Sequence, residues 1–176
     1  MIRRALPLLA LALLGACTTT PRGHDATPWI SGRLSLRTEA SPSRVAQSVS
    51  AVFELQGDGR HGELRLSSPL GTRMATARWA PGLAVLATSD GESQFRDLDE
   101  LSERALGEVL PLAALADWLG GRPWGGAAHA PVPGGDESFE QLGWHVDLSR
   151  RAEGRIELRR LAAPAVRMRV KLDEPT

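Results

Sequence analysis

The sequence predicts an α+β fold, built on an open, incomplete antiparallel β-barrel with a helical lid. Segments in which apolar and polar residues alternate with a period of two stand on both sides of a central stretch with helical periodicity. The strands are therefore grouped, about five before the helices and about three after them, which favours an antiparallel sheet over a parallel one. A twisted sheet of that size tends to curl, and two helices would cover its concave side.

Each of the five segments before the helices places its apolar residues on one face. In "WISGRLSLR", Ile30, Leu34 and Leu36 alternate with serine and arginine. The next segments are "SVSAVFEL", "GELRLSS", "MATARWA" and "LAVLAT", with Phe53, Leu64, Leu66, Ala75 and Ala77 among the residues expected to point inward. The small side chains of the two alanines would leave space on the concave side, or they would pack tightly under a helix.

The central stretch from Asp97 to Gly120 carries apolar residues at helical spacing, interrupted once by Pro111. This spacing predicts two short amphipathic helices. Asp97 or Asp99 is the expected N-cap of the first helix, and a glycine pair is expected to end the second. The side chains expected to face the sheet from the second helix are those of Leu112, Leu115 and Trp118.

The segment after the helices, "GGRPWGGAAHAPVPGGDES", is rich in glycine and proline and is predicted to be a loop. Three strands are predicted beyond it, in "SFEQLGWHVDLSR", "RIELRRL" and "VRMRVKLD". In the last of them Val166, Met168, Val170 and Leu172 alternate with arginine and lysine, which is typical of a strand with one solvated face.

The N-terminus, "MIRRALPLLALALLGAC", predicts export. Two arginines precede a ten-residue apolar run, Ala5 to Leu14, which is too short for the roughly 20 residues of a membrane-spanning helix. We therefore predict a signal peptide over residues 1–16. Residues 17–28 are polar and broken by prolines and are predicted to be a tether. Residues 29–176 form the predicted domain.

The end of the apolar run, Leu14-Gly15-Ala16-Cys17, resembles the lipobox of bacterial lipoproteins. That resemblance implies that Cys17, the single cysteine of the chain, carries the lipid anchor. The alternative is an ordinary secretory signal followed by a chance cysteine. Residue 18 is threonine and not aspartate, which by the same resemblance implies the periplasmic face of the outer membrane.

Charge and motifs exclude several classes of function. The full chain has 21 Lys+Arg and 21 Asp+Glu, so removal of Arg3 and Arg4 with the signal leaves 19 basic residues and a formal charge of −2. This charge predicts no basic surface for nucleic acid or anionic lipid. Gly57–Gly62 matches G-x-G-x-x-G, but a strand follows it, so we predict a hairpin turn and no dinucleotide site.

The sequence shows no candidate nucleophile, metal cluster or cofactor site. No histidine pair has metal-ligand spacing, and no serine lies in G-x-S-x-G. This favours a binding protein over an enzyme. The five tryptophans either fill the core or line an apolar cavity, and core packing is the simpler role for Trp118 and Trp144.

The stretch "RLSSPLGTRM" places Leu70 between Pro69 and Gly71, in a predicted turn between two strands. Turns lie on the surface, so this leucine is expected to point into water. Single exposed leucines are common, and chance exposure is the alternative to a functional role.

Five segments in this order resemble the LolB family between Trp29 and Asp173: "GRLSLR", "AVFELQGDGRHGELRLSSPLG", "LPLAALADWLGGRP", "FEQLGWHV" and "RMRVKLD". The resemblance implies an open barrel around a hydrophobic cavity. It also implies a monomer that accepts lipoproteins from the periplasmic carrier LolA and inserts them into the outer membrane, with no cofactor and no nucleic acid.

The resemblance further implies that Pro69, Leu70 and Gly71 form a protruding loop that enters the membrane. Acyl chains would contact the cavity residues Leu34, Leu36, Phe53, Leu64, Leu66, Ala75, Ala77, Leu112, Leu115 and Trp118. Two alternatives stay open at this point. One is a lipocalin-like or glycolipid-binding outer-membrane lipoprotein that needs no carrier, and the other is a cell-envelope hydrolase.

Overall fold

The computed structural model describes residues 27–40 and 45–174. The predicted signal peptide, Cys17, most of the tether and residues 175–176 lie outside the described residues. Within the described part, eleven strands form one antiparallel sheet in the order β6-β5-β4-β3-β2-β1-β11-β10-β9-β8-β7. The edge strands β6 and β7 do not pair with each other, so the sheet is open, as predicted.

The elements have the following bounds. The strands are β1 (Ile30–Thr38), β2 (Gln47–Gly57), β3 (Gly62–Ser67), β4 (Arg73–Ala80), β5 (Leu83–Thr88), β6 (Gly91–Phe95), β7 (His129–Val132), β8 (Gly135–Gln141), β9 (Trp144–Asp147), β10 (Arg155–Arg160) and β11 (Val166–Leu172). The helices are α1 (Leu98–Leu106) and α2 (Leu112–Leu119), and a 3-10 turn, Arg151–Glu153, precedes β10.

The two helices are confirmed with their expected ends. Asp97 is the N-cap of α1, and its side chain accepts a hydrogen bond from the Glu100 amide at 2.8 Å. Gly107, with a φ of 73°, ends α1. Pro111 directly precedes α2, and the chain leaves that helix through Gly121, whose φ is 87°. Gly107 and Gly121 thus both have a positive φ, a conformation that glycine adopts without strain.

Six strands precede the helices, one more than predicted, and the additional strand is β6. Four of the five residues of this strand are exposed, so it has no apolar alternation. Its pairing with β5 comes from the backbone ladder, which runs from Ala84 opposite Phe95 to Thr88 opposite Gly91. An edge strand held by its backbone alone leaves no pattern in the side chains.

The strand count after the helices is five, not three. The predicted loop contains β7, and the segment predicted as one strand is the hairpin β8–β9. The hairpin turns at Leu142 and Gly143, with φ values of 54° and 75°. Two residues with positive φ match the tight turns that join antiparallel strands, but leucine is rare at the first of them. The segment therefore looked like one continuous strand, because a leucine stands where a turn residue would be expected.

The sheet must curl, because both halves of it touch α2. This helix contacts β2, and its Trp118 ring lies 6.4 Å from the rings of Phe139 in β8 and Trp144 in β9. Five strand spacings separate β2 from β8, which is about 24 Å in a flat sheet. The eight residues of α2 span only about 12 Å. The apolar face of the sheet therefore wraps around the helix.

The buried side chain of Gln141 fastens this arrangement. Its oxygen accepts hydrogen bonds from the Trp118 indole N–H at 2.7 Å and from the Trp124 amide at 2.9 Å. Its amide donates to the carbonyl oxygens of Trp124 and Ala127, both at 2.7 Å. One side chain on β8 thus holds α2 and the segment that follows it against the sheet.

We predict that Gln141→Leu strongly destabilises the fold. The substitution keeps the volume but leaves four polar groups without their partner, and buried groups of this kind cost about 1–3 kcal/mol each unless water reaches them. We expect the free energy of unfolding in urea to fall by about 3 kcal/mol or more. Glu140→Gln, at the exposed neighbouring position, is the control and should change little. Equal stability of both variants would contradict the fastening role.

Candidate functional site

The predicted cavity residues lie on the apolar face of the sheet and on α2. Six of them are buried, namely Leu36, Phe53, Leu64, Ala77, Leu115 and Trp118. Leu34, Leu66 and Leu112 are half-buried and pack against the same hydrophobic cluster. Ala75 is half-buried and is not part of that cluster. The structure therefore brings nine of the ten together, and their contact with acyl chains stays a prediction.

The space between α2 and the sheet is nearly filled. A gap of about 10 Å³ lies between Leu112, Leu115 and Trp118 on the helix and Trp144, Leu158 and Met168 on the sheet. A single water needs roughly 10–15 Å³. An acyl chain can enter this region only if α2 moves away from the sheet.

A salt bridge with little solvent exposure holds the connection between the two helices. Arg160 at the end of β10 donates to the Glu108 carboxylate at 2.7 Å, and the two side chains are 16% and 14% exposed. The same guanidinium donates to the Val109 carbonyl at 3.4 Å and to the Pro164 carbonyl at 3.0 Å. The helices are thus held by polar contacts at Gln141 and at Arg160, and by apolar packing between them.

The turn that carries Leu70 is ordered by its own backbone. The Gly71 amide donates to the Ser68 carbonyl, and the Ser68 amide donates to the Thr72 carbonyl, both at 2.8 Å. Gly71 has a φ of 87°, which glycine adopts without strain. Leu70 is 95% exposed, the highest value among the large apolar residues in the described ranges. The predicted turn is confirmed, and a membrane role for it stays a prediction.

The opposite face of the sheet carries a groove of about 700 Å³, which we call the outer groove. It crosses β2, β1, β11 and β10, and Pro69 forms part of its wall. Five basic residues line it, namely Arg33, Arg150, Arg155, Arg169 and Lys171, against the two carboxylates of Asp147 and Glu157. The expectation of no basic surface was therefore wrong, since the net charge concealed a local excess.

Several of these charges are already paired. Glu157 lies 2.7, 3.2 and 3.5 Å from Arg159, Arg167 and Arg169. Burial alone would raise the pKa of the Glu157 carboxyl, but the hydrogen bond from Arg159 and the neighbouring charges hold that pKa below its ordinary value. The carboxylate therefore stays ionised at neutral pH, and it neutralises only part of the positive charge around it.

The end of the groove near the 3-10 turn is closer to neutral. Glu153 lies 2.7 Å from Arg150 and 3.3 Å from Arg155, and the hydrogen bond from Arg150 lowers its pKa. Lys171 donates to the backbone carbonyl of Glu153, which carries no full charge. Within residues 27–40 and 45–174, the side chain of Arg33 has no hydrogen-bond or ion-pair partner, and only its backbone is paired, in the ladders of β1.

The remaining sequence motifs have structural roles. Asp58 accepts from the Arg60 and His61 amides at 2.7 and 2.9 Å, and Gly57 pairs with Gly62, so the glycine-rich motif is the β2–β3 turn, as predicted. Across the described residues, no group of three His, Cys, Asp or Glu side chains could hold a metal ion. None of the described helices has the length and hydropathy needed to span a membrane.

Three features of this site were not predicted from the sequence: Gln141, the Arg160–Glu108 pair and the outer groove. Gln141 and the Arg160–Glu108 pair join residues that are far apart in the chain, and no local pattern marks such pairs. The outer groove did leave a signal, because Arg167, Arg169 and Lys171 alternate along the last strand. The net charge of the whole chain hid it.

The fold and the surface define the class of protein. It is a curled, open antiparallel sheet whose apolar face packs on two short helices, with an exposed leucine on an ordered turn. Residues 29–174 match the family described as "Outer membrane lipoprotein LolB". The chain belongs to the LolB family of outer-membrane lipoproteins.

Three similar proteins illustrate the relationship, each an outer-membrane lipoprotein LolB. The protein of Bordetella pertussis (strain Tohama I) is 36% identical over 152 residues, which cover 81% of this chain and 75% of that one. The protein of Dechloromonas aromatica is 32% identical over 148 residues, covering 80% and 77%. The protein of Chromobacterium violaceum is 30% identical over 162 residues, covering 87% and 86%.

Proposed function

We propose that this protein accepts lipoproteins from the periplasmic carrier LolA and inserts their acyl chains into the outer membrane. The observation that supports this most directly is the apolar face of the sheet. It is contiguous across the curled sheet and is covered by helices of only nine and eight residues. A cover that small can be displaced while most of the sheet ladder stays intact.

Acyl chains supply the free energy for displacement. Burial of an acyl chain is worth about 0.8 kcal/mol per methylene group. When α2 moves away, the chain replaces Leu112, Leu115 and Trp118 against the sheet, so that face stays out of water. No nucleotide hydrolysis is required, because transfer runs toward the partner that binds the acyl chains more tightly.

Leu70 acts at the membrane in this proposal. A leucine that leaves water for an apolar phase gains on the order of 1.5–3 kcal/mol. That gain is too small to anchor a protein, but it is enough to hold the turn at the lipid surface for a short time. The hydrogen-bonded turn also presents the side chain with little conformational entropy left to lose.

Permanent attachment is assigned to Cys17. A single acyl chain binds a membrane only marginally, whereas two or more anchor stably. The lipidated N-terminus would keep the domain at the periplasmic face of the outer membrane, and the tether would let it meet the carrier.

We predict that Leu70→Glu abolishes insertion of cargo into liposomes, while acceptance of cargo from the carrier stays near the wild-type level. The charge prevents entry into lipid, and the 95% exposed position makes a folding defect unexpected. Leu70→Phe should retain insertion. The measurement is the fraction of lipoprotein that co-floats with vesicles. If the Glu variant inserts cargo at the wild-type rate, Leu70 has no role at the membrane.

We predict that the domain takes up a fluorescent fatty acid, and that Glu108→Gln speeds the uptake. The substitution weakens the Arg160–Glu108 contact that holds the helical connection, so α2 should leave the sheet more often. Stopped-flow fluorescence gives the rate, and a thermal melt checks that the variant is folded. Glu103→Gln, exposed on α1, is the matched control. A complete lack of uptake by the wild type would contradict the acyl-chain site.

We predict that mass spectrometry of the mature protein finds acyl groups on Cys17. The Cys17→Ala chain should melt at the wild-type temperature, because the buried core found in the described residues runs from Leu36 to Val170. It should still transfer cargo, but with less preference for the correct membrane. An unmodified Cys17 behind a retained signal peptide would rule out the anchor.

A further inference from the structure

The outer groove adjoins the turn that carries the exposed leucine. Pro69 lines the groove, and Leu70 is the next residue. A protein that inserts Leu70 into a membrane therefore brings the mouth of the groove to the depth of the lipid headgroups. The turn joins β3 to β4, and Pro69 brings it to the wall of the groove.

The chemistry of the groove fits a phosphate group. Small polar residues, Ser35 and Ser50, lie along its middle, and longer basic residues, Arg33, Arg169 and Lys171, surround them. The alternation of β1 and β11 sends these side chains away from the core. Guanidinium and ammonium groups are the usual protein partners of phosphate oxygens, and serine hydroxyls add hydrogen bonds.

The acidic residues near the groove do not neutralise all of its basic side chains, so some remain able to bind a phosphate. Glu157 is shared among three arginines, and Glu153 between two. The Arg33 side chain has no hydrogen-bond or ion-pair partner within the described ranges. The Lys171 ammonium donates its hydrogen bond to a backbone carbonyl and lies near the Glu153 charge without a direct ion pair to it. Two cations on neighbouring strands can therefore accept an anion without breaking an ion pair. Arg33 and Lys171 pair directly across β1 and β11, so their side chains leave the sheet side by side.

We propose that the outer groove binds the phosphate of a phospholipid headgroup while Leu70 enters the acyl region beside it. This inference rests on the proposed function, which places Leu70 at the membrane. The groove would orient the domain on the lipid surface, since one apolar residue gives contact but no preferred direction. Other anions, such as an acidic surface of a partner protein, are outcomes of the test.

The experiment measures flotation of the full mature chain carrying Cys17→Ala, so that no anchor holds it. The vesicles are phosphatidylcholine with or without phosphatidylglycerol. The test variant is Arg33→Gln/Lys171→Gln, and the matched control is Arg60→Gln/Arg104→Gln, which removes the same charge from exposed positions outside the groove. A basic residue near an anionic surface contributes about 5-fold to binding, so we expect the test variant to lose about 25-fold and the control much less.

A second variant separates a site from diffuse attraction. Ser35→Leu fills the middle of the groove without changing the charge, and we expect it to weaken binding to both kinds of vesicle. Normal binding by Ser35→Leu, or equal losses in the two charge variants, would overturn the proposal. A loss of cargo acceptance from the carrier with unchanged vesicle binding would assign the groove to a protein partner and would also overturn it.

The same assays separate this inference from the function on which it rests. If Leu70→Glu fails to insert cargo while Arg33→Gln/Lys171→Gln binds vesicles and inserts cargo normally, only the groove proposal fails. If Leu70→Glu inserts cargo like the wild type, the membrane role of the turn fails first.

Discussion

The structure depends on how one apolar face of a curled sheet is kept from water. Eleven strands expose a contiguous apolar surface, and α1 and α2 supply its cover. Packing of apolar side chains is non-directional, so it does not by itself fix where the helices lie. Directional contacts do that: the four hydrogen bonds of Gln141 hold α2 and the segment that follows it, and Arg160 holds the connection to α1 through Glu108. These few directional contacts make the closed arrangement specific.

The same alternation that builds the apolar face builds the charged one. In β11, Val166, Met168 and Val170 are buried, and the three basic residues that alternate with them are exposed. A sheet with one dry and one wet face requires polar residues at every second position, but it does not require arginine or lysine. The concentration of basic residues on β1, β10 and β11 is therefore not explained by the fold, and it is the reason for assigning the outer groove a role.

The features that could be predicted from the sequence are those that depend on residues close together in the chain. Helix ends at Asp97 and Pro111 follow from capping and backbone restriction, and the turn at Leu70 follows from Pro69 and Gly71. The open antiparallel sheet follows from the grouping of strands. The patterns did not predict β6, whose exposed residues have no preferred face, or the turn at Leu142, where leucine adopts a conformation that glycine or asparagine usually takes.

The contacts of the site that were not predicted from the sequence were missed for a different reason. Gln141 and Trp118 are 23 residues apart, and Arg160 and Glu108 are 52 apart. Each pair is specified by the curl of the sheet, so it can be recognised only once the fold is known. The cavity residues of the strands, by contrast, could be predicted, because their common face follows directly from the alternation of apolar and polar residues. The volume enclosed by that face is set by how closely α2 packs, and periodicity carries no information about that distance.

The closed packing also bears on the direction of transfer. In the proposed function, an acyl chain and the apolar side of α2 compete for the same surface. Leu112, Leu115 and Trp118 return to the sheet when cargo leaves, so the protein recovers free energy at the release step. The net affinity for cargo is then the free energy of burying the acyl chain minus the free energy of burying the apolar side of α2, and each is proportional to the apolar area buried. A receptor built in this way can hold an acyl chain and still lose it to a bilayer, which buries the chain without displacing any part of a protein.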